Sequence, residues 1–316
     1  MSDVSATPRR SIGLATAVGL VLGEMIGVGI FLTPAGMAKG LGSFGLVLAV
    51  WLGMGAAALC GALCYGELAA RHPQAGGLYV YLREAYGPRV AFLYGWQCLL
   101  VLDPGLSAAL ATGIGAYGAT LLPGLQPAVF VYLVPLRAVG SPETFAAQAG
   151  AVLFGERGAQ TLSLVVVLCV GSSLLAYMTA APRVYYAMAR DGLAVGAMGE
   201  LHSKTGAPLR AIAVQAALAS LLVLLGRFDQ IVGYFVFVLV LFLAASVTGL
   251  FRLRRRDGVR VPYLTPAFPL PAIGFLVMTA VVLILLAAGQ PLQAAAGVAV
   301  TCLGVPVYAW LKTRRG

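Results

Sequence analysis

The chain has 316 residues, 60% of them hydrophobic and only 10% charged, with a mean hydropathy of +0.92 and a formal net charge of +10. A soluble domain of this length carries roughly 25% charged residues, so the surplus apolar surface has no aqueous partner and lipid is the expected solvent. The excess of base must be placed along the chain before it can be read as a nucleic-acid surface.

Residues 1–11 are polar and end on Arg9, Arg10 and Ser11. This base-then-apolar pattern resembles an export signal, but no small-residue cleavage site follows and Glu24 interrupts the run, so an uncleaved first span is expected. A membrane-crossing helix needs about 20 mostly apolar residues. Runs that meet this lie near 12–35, 44–66, 89–122, 159–182, 209–226, 231–251, 270–289 and 292–311, which predicts an all-α integral membrane protein of about eight full spans.

The first run contains "GEMIGVGIF", residues 23–31, in which Gly23, Gly27 and Gly29 crowd together beside an acid and shortly before Pro34. Unwound backbone at membrane depth is tolerated only where it lines a cavity or is buried in protein, and glycine lowers the cost of unwinding. A helix broken there offers free amides at one end and free carbonyls at the other, which together suit the carboxylate and ammonium of a zwitterion. A small-residue face for helix contact is the alternative, as for Gly53, Ala57 and Gly61 in the next run.

The third run is long and contains Asp103 before Pro104, where a kink or tilt is expected. Within it "GIGAYG" (113–118) matches a dinucleotide fingerprint, but that motif needs a strand before it and a helix after it. Small residues for helix contact are the better account. Residues 128–136 are apolar but too short to cross. Ionisable residues inside a span are functional candidates because their burial is costly, so Glu24 and Asp103 are candidate proton-coupling groups. Each also has a bland role open to it. Glu24 can cap the helix break, and Asp103 can satisfy backbone groups freed by Pro104.

With the N-terminus inside, only Lys39, Arg137, Arg157 and Arg227, four of the 21 basic residues, fall outside. This asymmetry predicts a multi-pass protein of the plasma (inner) membrane with both termini cytoplasmic. It also makes "RLRRRDGVR" (252–260) a topology anchor and removes the nucleic-acid reading. The five cysteines show neither paired framework nor metal spacing and are expected to be small buried residues. His72 and His202 fall in loops, and no soluble-enzyme motif appears, so neither enzyme, cofactor nor metal site is expected.

Four stretches carry a resemblance: "GEMIGVGIFLTPAGMAKGLGSFG", "GELAARHPQAGGLYVYLREAYGPRVAFLYGW", "PRVYYAMARDGL" and "PYLTPAFPLPAIGF". In that order they resemble the amino acid–polyamine–organocation superfamily of permeases, nearest its L-type amino acid transporter branch. The resemblance implies a leucine-transporter-like fold of two inverted five-helix repeats, with substrate between the broken first and sixth helices. It puts the first-helix break on Ile26, Gly27, Val28 and Gly29. "PRVYYAMARDGL" matches the end of the family's eighth helix, so span 159–182 becomes helix eight, and Ser172 and Ser173 would face the break from it. Bonding of those hydroxyls back to their own helix is the alternative.

Against that pattern, roughly helices four to seven are missing. The resulting organisation is a cytoplasmic 1–11, helices one to three over 12–122, an external linker with a remnant of helix seven over 123–158, helices eight to twelve over 159–311, and a cytoplasmic 312–316. The inverted repeat is therefore incomplete. The resemblance implies a secondary transporter or exchanger of L-amino acids, impaired by the loss. The alternative is a non-transporting relative that serves as a membrane scaffold or is a decaying gene product. A second copy of the chain, rebuilding the cavity as a homo-oligomer, is a further candidate partner beside substrate and lipid.

Overall fold

The computed structural model describes residues 13–25, 37, 40–121, 145–193, 200, 202, 208–225, 228–256 and 261–313. Among these the regular elements are all helices. They are α1 (Leu14–Met25), α2 (Phe44–Arg71), α3 (Leu78–Tyr86), α4 (Pro88–Gln97), a π-helical turn (Cys98–Leu102), α5 (Asp103–Leu121), α6 (Phe145–Ala180), α7 (Pro182–Arg190), α8 (Leu209–Leu225), α9 (Phe228–Arg256), α10 (Leu270–Gly289) and α11 (Pro291–Thr313). Among the described residues six helical stretches are long and apolar enough to cross a membrane: Phe44–Arg71, Pro88–Gly115, Leu153–Arg190, Val236–Arg256, Leu270–Gly289 and Pro291–Thr313. Of the other two expected spans, α8 is apolar but shorter, and the first is described only as far as Met25.

The boundaries follow from local chemistry. Pro73 disfavours helical backbone at the residue before it, and α2 accordingly stops at Arg71, with His72 at φ −130° and ψ 78°. Pro88 and Pro182 each occupy the first turn of a helix, where a missing N–H costs nothing. Gly155, at φ 71°, divides α6 into two helical pieces. The first of these falls within the residues assigned to the external linker, and the second carries the span expected at 159–182.

Helix α5 is central, packing on α6, α8 and α9, while α2 and α10 flank α9 on its other side. The stretch Pro88–Gly115 is 67% buried, against 11% for Phe44–Arg71. The first is thus the core of the bundle and the second a lipid-facing wall, with Phe44, Leu52 and Leu59 turned outward. Residues 113–118, the dinucleotide look-alike, lie wholly inside helix α5 with no strand before them. Two cysteines, Cys64 and Cys98, are buried as expected, but Cys302 is exposed on α11, because that helix lies at the edge of the bundle.

The loop before α3 is pinned closely to α7. A Cβ at Gly76 (φ 125°) would fall 2.8 Å from that of Ala187, so both the backbone angle and the contact require glycine there. The same junction is closed by Asp191, which accepts from Tyr79 Oη at 2.8 Å and from Arg83 Nη1 at 2.9 and 2.8 Å. Burial works against the Arg83 charge, but the hydrogen bonds to Asp191 and Glu84 outweigh it and hold its pKa above the usual value. The motifs "HPQAGGLYVYLREAYGP" and "PRVYYAMARDGL" are therefore two halves of one contact.

Candidate functional site

The deepest polar cluster is built on Asp103. Pro104 has no N–H, and its ring conflicts with the carbonyl of the residue four before it, Leu100. The chain absorbs this by widening one turn. The Asp103 N–H donates to Cys98 O, five residues back, and Cys98–Leu102 is π-helical. The long third span is thus kept as one continuous helix whose irregular turn presents an acid.

The Asp103 side chain is only 4% exposed. Tyr177 Oη of α6 donates to its Oδ1 at 2.5 Å, and Tyr185 Oη of α7 donates to its Oδ2. Below it, Ser107 Oγ donates to the Asp103 carbonyl at 2.7 Å, and Gln215 Nε2 of α8 donates to Ser107 Oγ at 3.1 Å. Helices α6 and α7 thus reach the carboxylate of α5, and α8 reaches only Ser107, one turn along α5. Tyr94 and Cys98, both buried, lie within electrostatic reach of it. Among the described residues no Lys, Arg or His is ion-paired with Asp103. The donors to this carboxylate among the described residues are its two phenols, and a proton is the simplest further partner it could take. Both roles read from the sequence stay open, and the partners seen on its two oxygens among the described residues are the tyrosine hydroxyls.

The other expected site residues are placed less completely. Ile26, Gly27, Val28 and Gly29 lie outside the described residues, as does the side chain of Glu24, whose backbone is in the last turn of α1. Helix α1, which precedes them in the sequence, packs against α6, the helix that carries Ser172 and Ser173. Both serine hydroxyls donate back to Cys169 O, at 2.7 and 3.0 Å, with Ser172 exposed and Ser173 buried.

Tyr177 and Tyr185 escaped the sequence reading. They stand eight residues apart, about two helical turns, which would place them on one face of a continuous helix; that spacing opposite a buried acid was the available signal. Glu67 also escaped it. This fully buried acid on α2 accepts from Arg71 Nε and Nη2 at 3.0 and 2.9 Å, from Arg254 Nε at 2.9 Å and also from Arg254 Nη2, and from the Thr265 N–H at 2.9 Å. Arg254, expected only to anchor topology, thus ties α9 to α2 and to the turn before α10. Among the described residues no group of three or more His, Cys, Asp and Glu could hold a metal ion.

A bundle of apolar helices with buried acids is open to several membrane functions, and comparison with known proteins decides the family. The model of a family described as "Amino acid permease" matches residues 12–117 and 103–307. The chain belongs to the amino acid permease family. Within it the chain is similar to transporters of the L-type branch. It is 39% identical over 109 residues to the large neutral amino acids transporter small subunit 2 of Rattus norvegicus, covering 34% of this chain and 20% of that protein. It is 37% identical over 109 residues to the cystine/glutamate transporter of Homo sapiens, covering 34% and 22%. It is 35% identical over 127 residues to the b(0,+)-type amino acid transporter 1 of Rattus norvegicus, covering 40% and 26%. The matches span about a fifth to a quarter of the length of these permeases.

Proposed function

We propose that this permease binds a zwitterionic amino acid at the glycine-rich break formed by Ile26, Gly27, Val28 and Gly29, and that Asp103, with Glu24 as the other candidate, carries the proton coupled to that binding. The family membership supports the substrate class, and the packing of α1 on α6 supports a site between them. The carrying observation is the Asp103 cluster, an acid buried at mid-span and held by hydroxyls from α6 and α7. The amides at the break would hold the carboxylate. Ser172 and Ser173 would join the site by turning away from Cys169 O.

Binding is tested by isothermal calorimetry or thermal shift with large neutral amino acids, cystine and glutamate, the classes named in the relatives. Gly27→Leu and Gly29→Leu are expected to abolish binding and leave insertion intact, because bulk at a helix break blocks approach to the amides. Parent-like binding by both variants would refute the site. The proton role has a separate test. Binding measured from about pH 5 to 8 should vary with pH in the parent and become flat in Asp103→Asn, which keeps a hydrogen-bonding group but does not titrate. If Glu24→Gln flattens the profile instead, the coupling role belongs to Glu24.

The charge asymmetry supports a plasma-membrane protein with both termini inside. Single cysteines replacing Lys39 and Arg227 are then expected to react with impermeant maleimide from outside, and one replacing Arg183 from inside. Reaction of the first two from inside would reverse the orientation.

A further inference from the structure

The bases that close α9 have different fates. Arg254 turns inward to Glu67. Arg252, Arg255 and Arg256 instead line a cleft of about 370 Å³ together with Glu84, Ala85 and Leu253. The Arg252 guanidinium is seated 5.1 Å above the Tyr86 ring, which braces it. Glu84, the one acid among the described lining residues, is already engaged by Arg83 at 2.9 Å. Among the described residues none of Arg252, Arg255 and Arg256 has a carboxylate partner. Leu253 and Ala85 are buried and form an apolar floor.

Orientation of the chain by positive charge needs only that the bases lie on one side. It does not require three of them to converge on a concavity, nor one to be braced on a ring. The position in the fold selects the ligand. The apolar stretch Val236–Arg256 ends at these residues, so the cleft opens at the depth where hydrocarbon gives way to headgroups. We propose that this cleft binds the phosphate of an anionic phospholipid headgroup, held by Arg252, Arg255 and Arg256. Guanidinium groups present paired N–H donors that match phosphate oxygens, and basic pockets beside membrane helices attract such headgroups. The assignment is independent of the amino acid site and of any transport activity.

The test uses the full chain in nanodiscs of phosphatidylcholine with a minor fraction of phosphatidylglycerol, reading the phosphatidylglycerol that stays bound after extraction by native mass spectrometry. The triple variant Arg252→Gln/Arg255→Gln/Arg256→Gln should lose retention by roughly tenfold or more. The control Arg89→Gln/Arg183→Gln/Arg190→Gln removes equal charge from exposed bases of α4 and α7 and should change it by less than about twofold. Equal loss in both sets would show diffuse attraction and overturn the cleft. Should the first triple variant fail to insert, Glu84→Gln decides. Removing the acid from the wall should raise retention severalfold, and unchanged or weaker retention overturns the proposal. Glycerol phosphate added in solution should not displace the lipid; displacement at matched concentration would make the cleft a site for a soluble anion.

Discussion

Reconstituted alone into liposomes, the chain is expected to show little or no coupled amino acid uptake. Only 23 residues, 122 to 144, separate α5 from α6, and four spans of about 20 residues each cannot fit in that length. The family resemblance implies that the second half of the substrate site lies on a helix for which that interval has no room. A zwitterion held at a single helix break keeps its carboxylate contacts and loses part of its enclosure. Each lost hydrogen bond to a charged group weakens binding by roughly 1.5–3 kcal/mol, so two or three losses mean about a hundredfold or more. Alternating access also requires one bundle to rock against another around the site. Radiolabelled uptake, measured with and without a proton gradient and at increasing protein-to-lipid ratio, distinguishes the outcomes. Saturable uptake at the lowest ratio would show that the reduced core suffices. Uptake that appears only as copies crowd would instead point to two chains rebuilding one cavity. Binding without uptake is the expected result, and it would favour the non-transporting reading of the whole protein.

Glu67→Gln should destabilise the fold more than any exposed charge substitution. The acid is fully buried, and the neutral amide leaves the guanidinium groups of Arg71 and Arg254 without their counter-charge. Breaking a buried charge network by deleting one partner costs about 3–5 kcal/mol, because the remaining charge stays out of water unpaired. For a chain of this size that corresponds to a fall of roughly 10 °C in the melting temperature in detergent. Arg210 and Glu200 provide the contrast. They pair at 2.7 Å but are 62% and 54% exposed, so Arg210→Gln should change stability by less than about 1 kcal/mol. A fluorescence-detected melting series on the two variants checks both numbers. Similar melting temperatures for them would mean that water reaches Glu67 and that the α2–α9–α10 staple is not structural.

The sequence by itself determined the helices. The run expected at 89–122 is the Pro88–Leu121 helix, and that expected at 270–289 is α10 residue for residue. Such runs are legible because a backbone in lipid must satisfy its own hydrogen bonds, which ties helix length to apolar run length. The acid at Asp103 and the disturbance at Pro104 were legible for a related reason, since a charge and a missing N–H each stand out against hydrocarbon. What neither run length nor motif could supply was the partner of each buried charge. Asp103 meets Tyr177 and Tyr185 across 74 and 82 residues, and Glu67 meets Arg254 across 187. Helices that are apolar on every side give no pattern to say which face turns inward. Only the packing of α5 among α6, α8 and α9, and of α9 against α2 and α10, selects those faces. The tertiary structure therefore decided that one acid sits under two hydroxyls as a candidate for chemistry, and that the other is neutralised by arginines as a staple.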